Sequence, residues 1–160
     1  MNDIEKMIES LCPDRVEFFK ISDICERNSG INITAAKMKE LHKDNAPVRI
    51  FAGGSTFADV SFSDLLEKDI IKDVSIIVKS RGYIGFEYYD KPFTHKNEFW
   101  SYTTNNKNAC LKYLYYYLIN HTEFFQKKAK ATSVKIPQLS VSDTDNFKIP
   151  LPPLEIQQKL

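Results

Sequence analysis

A chain of 160 residues with 42% apolar side chains, including 11 Phe, 8 Tyr and 1 Trp, suffices for one domain with its own core and is too apolar for intrinsic disorder. A formal charge of +1 excludes a strongly polyionic chain, and no apolar run approaches the roughly 18 residues that a membrane helix needs. The first residues, Met1-Asn2-Asp3-Ile4-Glu5, place acids where a secretory leader carries bases, and Cys12, Cys25 and Cys110 form no Cys-x-x-Cys, so a reduced cytoplasmic chain is expected.

In chain order, Val16 to Ile21 reads as a short strand, and Ser22 to Glu26 as a short helix with Asp23 and Glu26 at capping-box spacing. Asn28-Ser29-Gly30 stops it. Thr34 is the N-cap expected for a helix reaching Lys43, and Pro47 opens a strand over Val48 to Phe51. Adjacent glycines make Ala52-Gly53-Gly54-Ser55-Thr56-Phe57 a loop. The β-branched run Val74 to Val78 predicts a buried strand, Lys79-Ser80-Arg81-Gly82 a turn, and Tyr83 to Tyr89 the return strand of a hairpin. Phe99 to Thr103 is another strand. Leu111, Leu114, Tyr115 and Leu118 recur at helical spacing, which predicts one helix from Ala109 to about Lys128, then a polar loop from Ala129 to Lys135. Residues 136–140 and 147–149 are extended, and Pro153 starts a last helix over Leu154 to Leu160.

The charge is unevenly spread. Residues 1–78 carry 10 basic and 14 acidic side chains, residues 79–135 carry 10 and 4, and residues 136–160 carry 2 and 3. A basic middle is compatible with a nucleic-acid face or with a solvated lysine-rich helix. Catalytic patterns are missing. There is no Gly-x-x-x-x-Gly-Lys-Ser/Thr, no Gly-x-Gly-x-x-Gly and no Gly-x-Ser-x-Gly. His42, His95 and His121 stand apart from other ligand types. No lysine has an acid two residues before it, as many metal-dependent nucleases do, and Pro152-Pro153 is not followed by an aromatic residue, as an adenine methyltransferase motif requires. No cofactor is expected.

Three stretches suit binding. Gly54, Ser55 and Thr56 offer backbone N–H groups and hydroxyls to phosphates or base edges; the alternative is a plain turn. Lys79, Ser80, Arg81 and Tyr83 form a hairpin tip in which Arg81 can grip a guanine and Lys79 a phosphate; the alternative is a solvated turn. Lys130, Ser133 and Lys135 make a second basic, hydroxyl-bearing stretch, or else a helix end whose lysines favour the dipole.

The stretch Ile136-Pro137-Gln138-Leu139-Ser140, followed by Phe147-Lys148-Ile149-Pro150-Leu151-Pro152-Pro153-Leu154-Glu155-Ile156-Gln157, resembles the end of a target recognition domain in the DNA-specificity subunit of type I restriction-modification systems. Upstream pieces agree in order: Ile21-Ser22-Asp23-Ile24-Cys25, the Val48-to-Gly54 strand and loop, Ile76 to Gly85 with its Arg-Gly-Tyr-Ile-Gly turn, and Tyr113 to Leu118. The resemblance covers about Val16 to Leu160. It implies an α+β fold with a twisted, mostly antiparallel sheet and a few helices. It divides the chain into a lead-in (1–15), a recognition domain (16–151) and the start of a spacer helix (152–160). It implies a non-catalytic subunit that reads one half of a bipartite site in double-stranded DNA. Its partners would be methyltransferase subunits, an endonuclease subunit and a second recognition domain in the same or another chain, with no membrane. Leu154, Gln157 and Leu160 would serve partner docking. Holding one recognition domain and the start of one spacer, the chain corresponds to a shortened product or to a half-subunit that must dimerise.

Two other readings compete. One is a recognition module of another restriction-methyltransferase type, distinguished by linkage to a methyltransferase chain. The other is a small free-standing hydrolase, distinguished by loss of activity on mutating a carboxylate with DNA binding intact.

Overall fold

The computed structural model describes residues 2–14, 16–132 and 135–160, with Thr132 described by its backbone alone. Among the described residues, nine strands fall into three sheets. In the first, β1 (Phe18–Lys20) pairs antiparallel with β9 (Lys148–Pro150). In the second, β2 (Glu26–Ser29), β8 (Trp100–Thr103), β5 (Ser75–Lys79) and β6 (Gly85–Tyr89) pair antiparallel in that order. The third runs β4 (Phe57–Val60), β3 (Val48–Phe51), β7 (Phe93–His95), with β3 and β7 parallel. The fold is α+β and mostly antiparallel, as expected, but its strands are divided among three sheets and include one parallel pair.

The second sheet has apolar side chains on both faces because β5 is β-branched on both. Ile76 and Val78 point to the largest core cluster, with Trp100 and Tyr102 of β8, while Ile77 points the other way to Phe51 and Phe93 of the third sheet. On the first side lie α1 (Asp3–Leu11), α4 (Leu111–Ile119) and α5 (Thr122–Thr132), which contribute Ile4, Ile8, Tyr113, Leu114, Tyr117, Leu118, Phe125 and Ala129. Beyond the third sheet, α3 (Ala35–Leu41) places Met38 against Val48, Ile50 and Val60. The third sheet therefore lies between the second sheet and α3.

The sequence-based elements survive with shifted ends, and several further elements join them. Thr34 caps α3, accepting from Lys37 N at 3.1 Å. The helix expected near Ser22 is one turn, α2 (Ile21–Ile24), and Glu26 already belongs to β2. The segment before residue 16 is largely α1, closed by a capping box between Asn2 and Glu5. The long helix expected from Ala109 breaks at Asn120–His121. There the Asn120 amide donates to Tyr116 O at 2.7 Å, Thr122 Oγ1 donates to Ile119 O at 2.8 Å, and His121 Nδ1 lies 2.7 Å from Tyr117 O. Three polar side chains thus take carbonyls that a continuing helix would use. Part of the loop expected from Ala129 is instead the last turn of α5.

Two further elements frame the C-terminal part. Helix α6 (Val141–Asp145) is fastened to β8: Trp100 Nε1 donates to Thr144 Oγ1 at 2.8 Å, and the Tyr102 hydroxyl bonds Thr144 and Asp145. Helix α7 is the single turn Leu154–Gln157, with Pro153 as its N-cap. Among the described residues no helix is long and apolar enough to cross a membrane.

Candidate nucleic-acid interface

Alternation along β5 puts Ser75, Ile77 and Lys79 on the face toward the third sheet. Lys79 leaves that face at the end of the strand, where β3 opens into its loop. Its Nζ donates to Ala52 O and Gly54 O, both at 3.4 Å, and sits 4.8 Å from the centroid of the Phe51 ring. Burial lowers the ammonium's pKa, and the carboxylate of Glu87 partly counters this. Glu87 faces Ile77 across the β5–β6 pair, one diagonal step from Lys79, and its Oε2 is buried without a hydrogen-bond partner among the described residues.

The glycine loop is a tight turn. Ala52 N donates to Thr56 O at 3.0 Å and Thr56 N to Gly53 O at 3.1 Å. Gly54 has φ +61°, which a side chain would strain. Ser55 and Thr56 are exposed at its outer edge.

The hairpin tip is tied down along its backbone. Leu139 N donates to Ser80 O at 2.7 Å and Gly82 N to Pro137 O at 2.8 Å, so residues 80–82 run beside residues 137–139. Gln138 N in turn donates to Ala129 O at 3.3 Å, and Ile84 N donates to Gln126 Oε1 at 3.3 Å, which joins both segments to α5. Beyond this backbone frame, Arg81 is exposed, and Tyr83 is 87% exposed after Gly82 at φ +77°.

The result is one continuous rim: the glycine loop, Lys79, Arg81 to Tyr83, the 135–139 segment and the end of α5, where Lys130 is exposed. It joins the three stretches singled out in the sequence, although they are far apart along the chain. Of the ten bases in residues 79–135, Lys96 alone has an ion pair among the described residues, 3.8 Å from Glu98. The rim therefore holds positive charge that is not neutralised internally.

The family model for the type I restriction modification DNA specificity domain matches residues 13–160. The chain belongs to this family. No curated protein matches it in sequence. Its fold is similar to that of the type I S subunit from M. genitalium (TM-score 0.73, 16% identity, 98% of this chain and 40% of that one). It is also similar to the HsdS subunit from Thermoanaerobacter tengcongensis (0.68, 14%, 98% and 40%). A chain from work on complex assembly and conformational transition of the type I R-M system gives 0.64, 16%, 96% and 41%. This specificity domain thus spans about 40% of the length of those solved chains.

Several residues expected to bind are instead buried or engaged within this specificity domain. Ser80 is 1% exposed and its hydroxyl donates to Glu98 O at 3.0 Å, so it anchors the hairpin and is withdrawn as a DNA contact. Lys79 is engaged by two carbonyls, which removes it from the free cations. Ser133 lies outside the described residues, and Lys135 is exposed. Gln157 is also withdrawn: at 1% exposure it accepts from Cys110 N and donates to Asn108 O and Pro152 O, each at 2.8 Å, which pins α7 to the start of α4. Leu160 packs against the main core, while Leu154 remains 38% exposed.

Other residues of the site escape sequence reasoning. Phe57, exposed beside the glycine loop, has the Arg49 guanidinium 3.7 Å from its ring centroid, and Arg49 itself donates to Asp59 at 2.8 and 3.2 Å. The Arg49↔Asp59 and Phe51↔Phe57 registers explain the stack. Strand β4 does not stand out in the sequence, so this pairing is hidden there. Alternation in β6 could have placed Glu87 beside Lys79.

Proposed function

We propose that this domain reads a DNA sequence as the non-catalytic specificity component of a type I restriction-modification enzyme, contributing one half of a bipartite site in double-stranded DNA. The observation that carries the reading is the hydrogen-bonded continuity of the rim, which presents unneutralised bases, hydroxyls and an exposed aromatic ring on rigid strands in a member of a DNA specificity family. Arg81 and Tyr83 are the base-reading candidates, Ser55 and Thr56 the flanking polar contacts, and Lys130 and Lys135 the phosphate contacts.

The assembly would act in the cytoplasm, where this domain (residues 16–151) would dock on methyltransferase subunits and, through them, an endonuclease subunit. A second recognition domain would read the other half-site. Residues 152–160 would lead into the spacer, with Leu154 as its exposed apolar contact.

The test is selection of bound duplexes from a random pool by the chain together with its methyltransferase subunits. One enriched half-site, with neither cleavage nor methylation by the chain alone, is the expected result. Enrichment of no sequence would refute the reading.

A further inference from the structure

We propose that Lys79 is a positioning residue for DNA reading, its amine tying the glycine loop to the β5–β6 tip so that the two act as one reading unit. The inference rests on the DNA reading above.

The two loops belong to different sheets. The glycine loop connects β3 to β4 in the third sheet, and the tip connects β5 to β6 in the second. Inside the loop, the two described backbone hydrogen bonds are Ala52 with Thr56 and Thr56 with Gly53. Both close the turn on itself and neither fixes it to the second sheet. Lys79 supplies that connection, donating to Ala52 O and Gly54 O with its amine over the Phe51 ring. Arg81 lies two residues further on, and its neighbours are fixed by the Ser80–Glu98, Ser80–Leu139 and Gly82–Pro137 bonds. A displacement of the glycine loop therefore reaches the tip through Lys79.

Glu87 on the adjacent strand supplies the opposite charge on the same face. Burial and two carbonyl acceptors make the amine a poor phosphate clamp, because reaching solvent would break both bonds. Gly54, at positive φ, lets the carbonyls of this short turn converge on one amine.

The test uses the full chain with Lys79→Met, which keeps the stem and removes the donor, and Lys79→Arg, which keeps donors. Two duplexes serve as probes: the one recovered by selection and a scrambled one. Lys79→Met is expected to lower the preference for the selected duplex about tenfold, the effect of removing a charged hydrogen bond. Affinity for the scrambled duplex and its salt slope should stay unchanged, and Lys79→Arg should recover part of the preference. Equal weakening on both duplexes with a salt slope smaller by about 1 would make Lys79 a phosphate contact and overturn the proposal, as would an unchanged preference.

Amide hydrogen exchange without DNA supplies an independent readout. The Ala52 and Thr56 amides, whose hydrogen bonds close the turn, should exchange about tenfold faster in Lys79→Met, with β5 and β8 unaffected; no acceleration overturns the tether. A wild-type chain with no duplex preference would refute the DNA reading and Lys79's part in it, while the exchange result would still say whether the tether exists. Lys79→Leu replaces Lys79→Met if that variant does not fold.

Discussion

Individual residues carry sharply different duties on the same rim. Arg81 is exposed on a backbone held at Ser80 and Gly82, so truncating it would remove the proposed base contact without disturbing its support. Arg81→Ala should cost about 1–3 kcal/mol on the selected duplex and relax preference at one base pair, measured by titration against single-position variants of the site. Gly30 is governed by space. An added Cβ would meet His95 O and Lys96 O, both backbone atoms, at 2.4 Å. These atoms cannot move without breaking the Ile31–His95 hydrogen bond of 2.8 Å. Gly30→Ala should therefore destabilise by about 1–3 kcal/mol or more in urea unfolding. His95 is fully buried, with Nδ1 3.1 Å from Lys96 O and Nε2 3.1 Å from Ser101 Oγ, and burial holds its pKa below the ordinary 6.5. The unfolded chain then takes up a proton near 6.5 that the folded chain refuses. Stability from this residue is present above pH 6.5 and falls as the pH drops below it, by at most about 1.4 kcal/mol per pH unit. Thermal unfolding between about pH 7 and 5 checks the trend, and the His95 imidazole should titrate below 6.5 by NMR.

At the scale of elements, the strands were the most legible part of the sequence. Val48 to Phe51 is β3 as read, the strand expected over Val74 to Val78 moves by one residue at both ends to Ser75–Lys79, and the one expected from Phe99 starts at Trp100, because β-branched and aromatic runs bounded by turns leave few alternatives. Short amphipathic or polar elements were not legible. Helix α6 is Val141-Ser142-Asp143-Thr144-Asp145, and its stability comes from Thr144 and Asp145 reaching Trp100 and Tyr102, which lie far upstream in β8. The same holds for the candidate site. The tip and the glycine loop could be picked out by residue type, but the burial of Ser80 and the inward turn of Lys79 depend on partners in other sheets. Helix α7 shows how far one side chain can replace propensity. A single turn is unstable alone, and Gln157 supplies three hydrogen bonds to hold it. Gln157→Leu should leave Cys110 N–H without its acceptor and cost roughly 1–3 kcal/mol in urea unfolding.

For the whole molecule, charge is segregated although the total is near zero. The N-terminal half is acidic, while six of the ten bases of residues 79–135 (Lys79, Arg81, Lys127, Lys128, Lys130 and Lys135) lie on the rim or α5. Electrostatics should consequently dominate weak, sequence-independent binding. Replacing Lys130 and Lys135 with Ala should weaken selected and scrambled duplexes alike. The slope of log affinity against log salt should fall by about 1 for each phosphate that is no longer neutralised. A slope unchanged in the double variant would place the phosphate-binding cations elsewhere on the domain.

The pairing of β1 with β9 bears on mechanics. Phe18 lies opposite Pro150 and Lys20 opposite Lys148, and the ladder is extended by Leu151 N to Glu17 O at 3.0 Å. Residues 17–20 and 148–151 therefore lie side by side and close one seam between distant parts of the chain. The segments on either side of the seam are anchored separately: α1 gives Ile4 and Ile8 to the main core, and Gln157 pins α7 to the start of α4. Pulled apart there, the seam would open one residue pair at a time, starting with the Leu151–Glu17 bond. Opening the seam alone therefore leaves both α1 and α7 fastened to the rest of the domain.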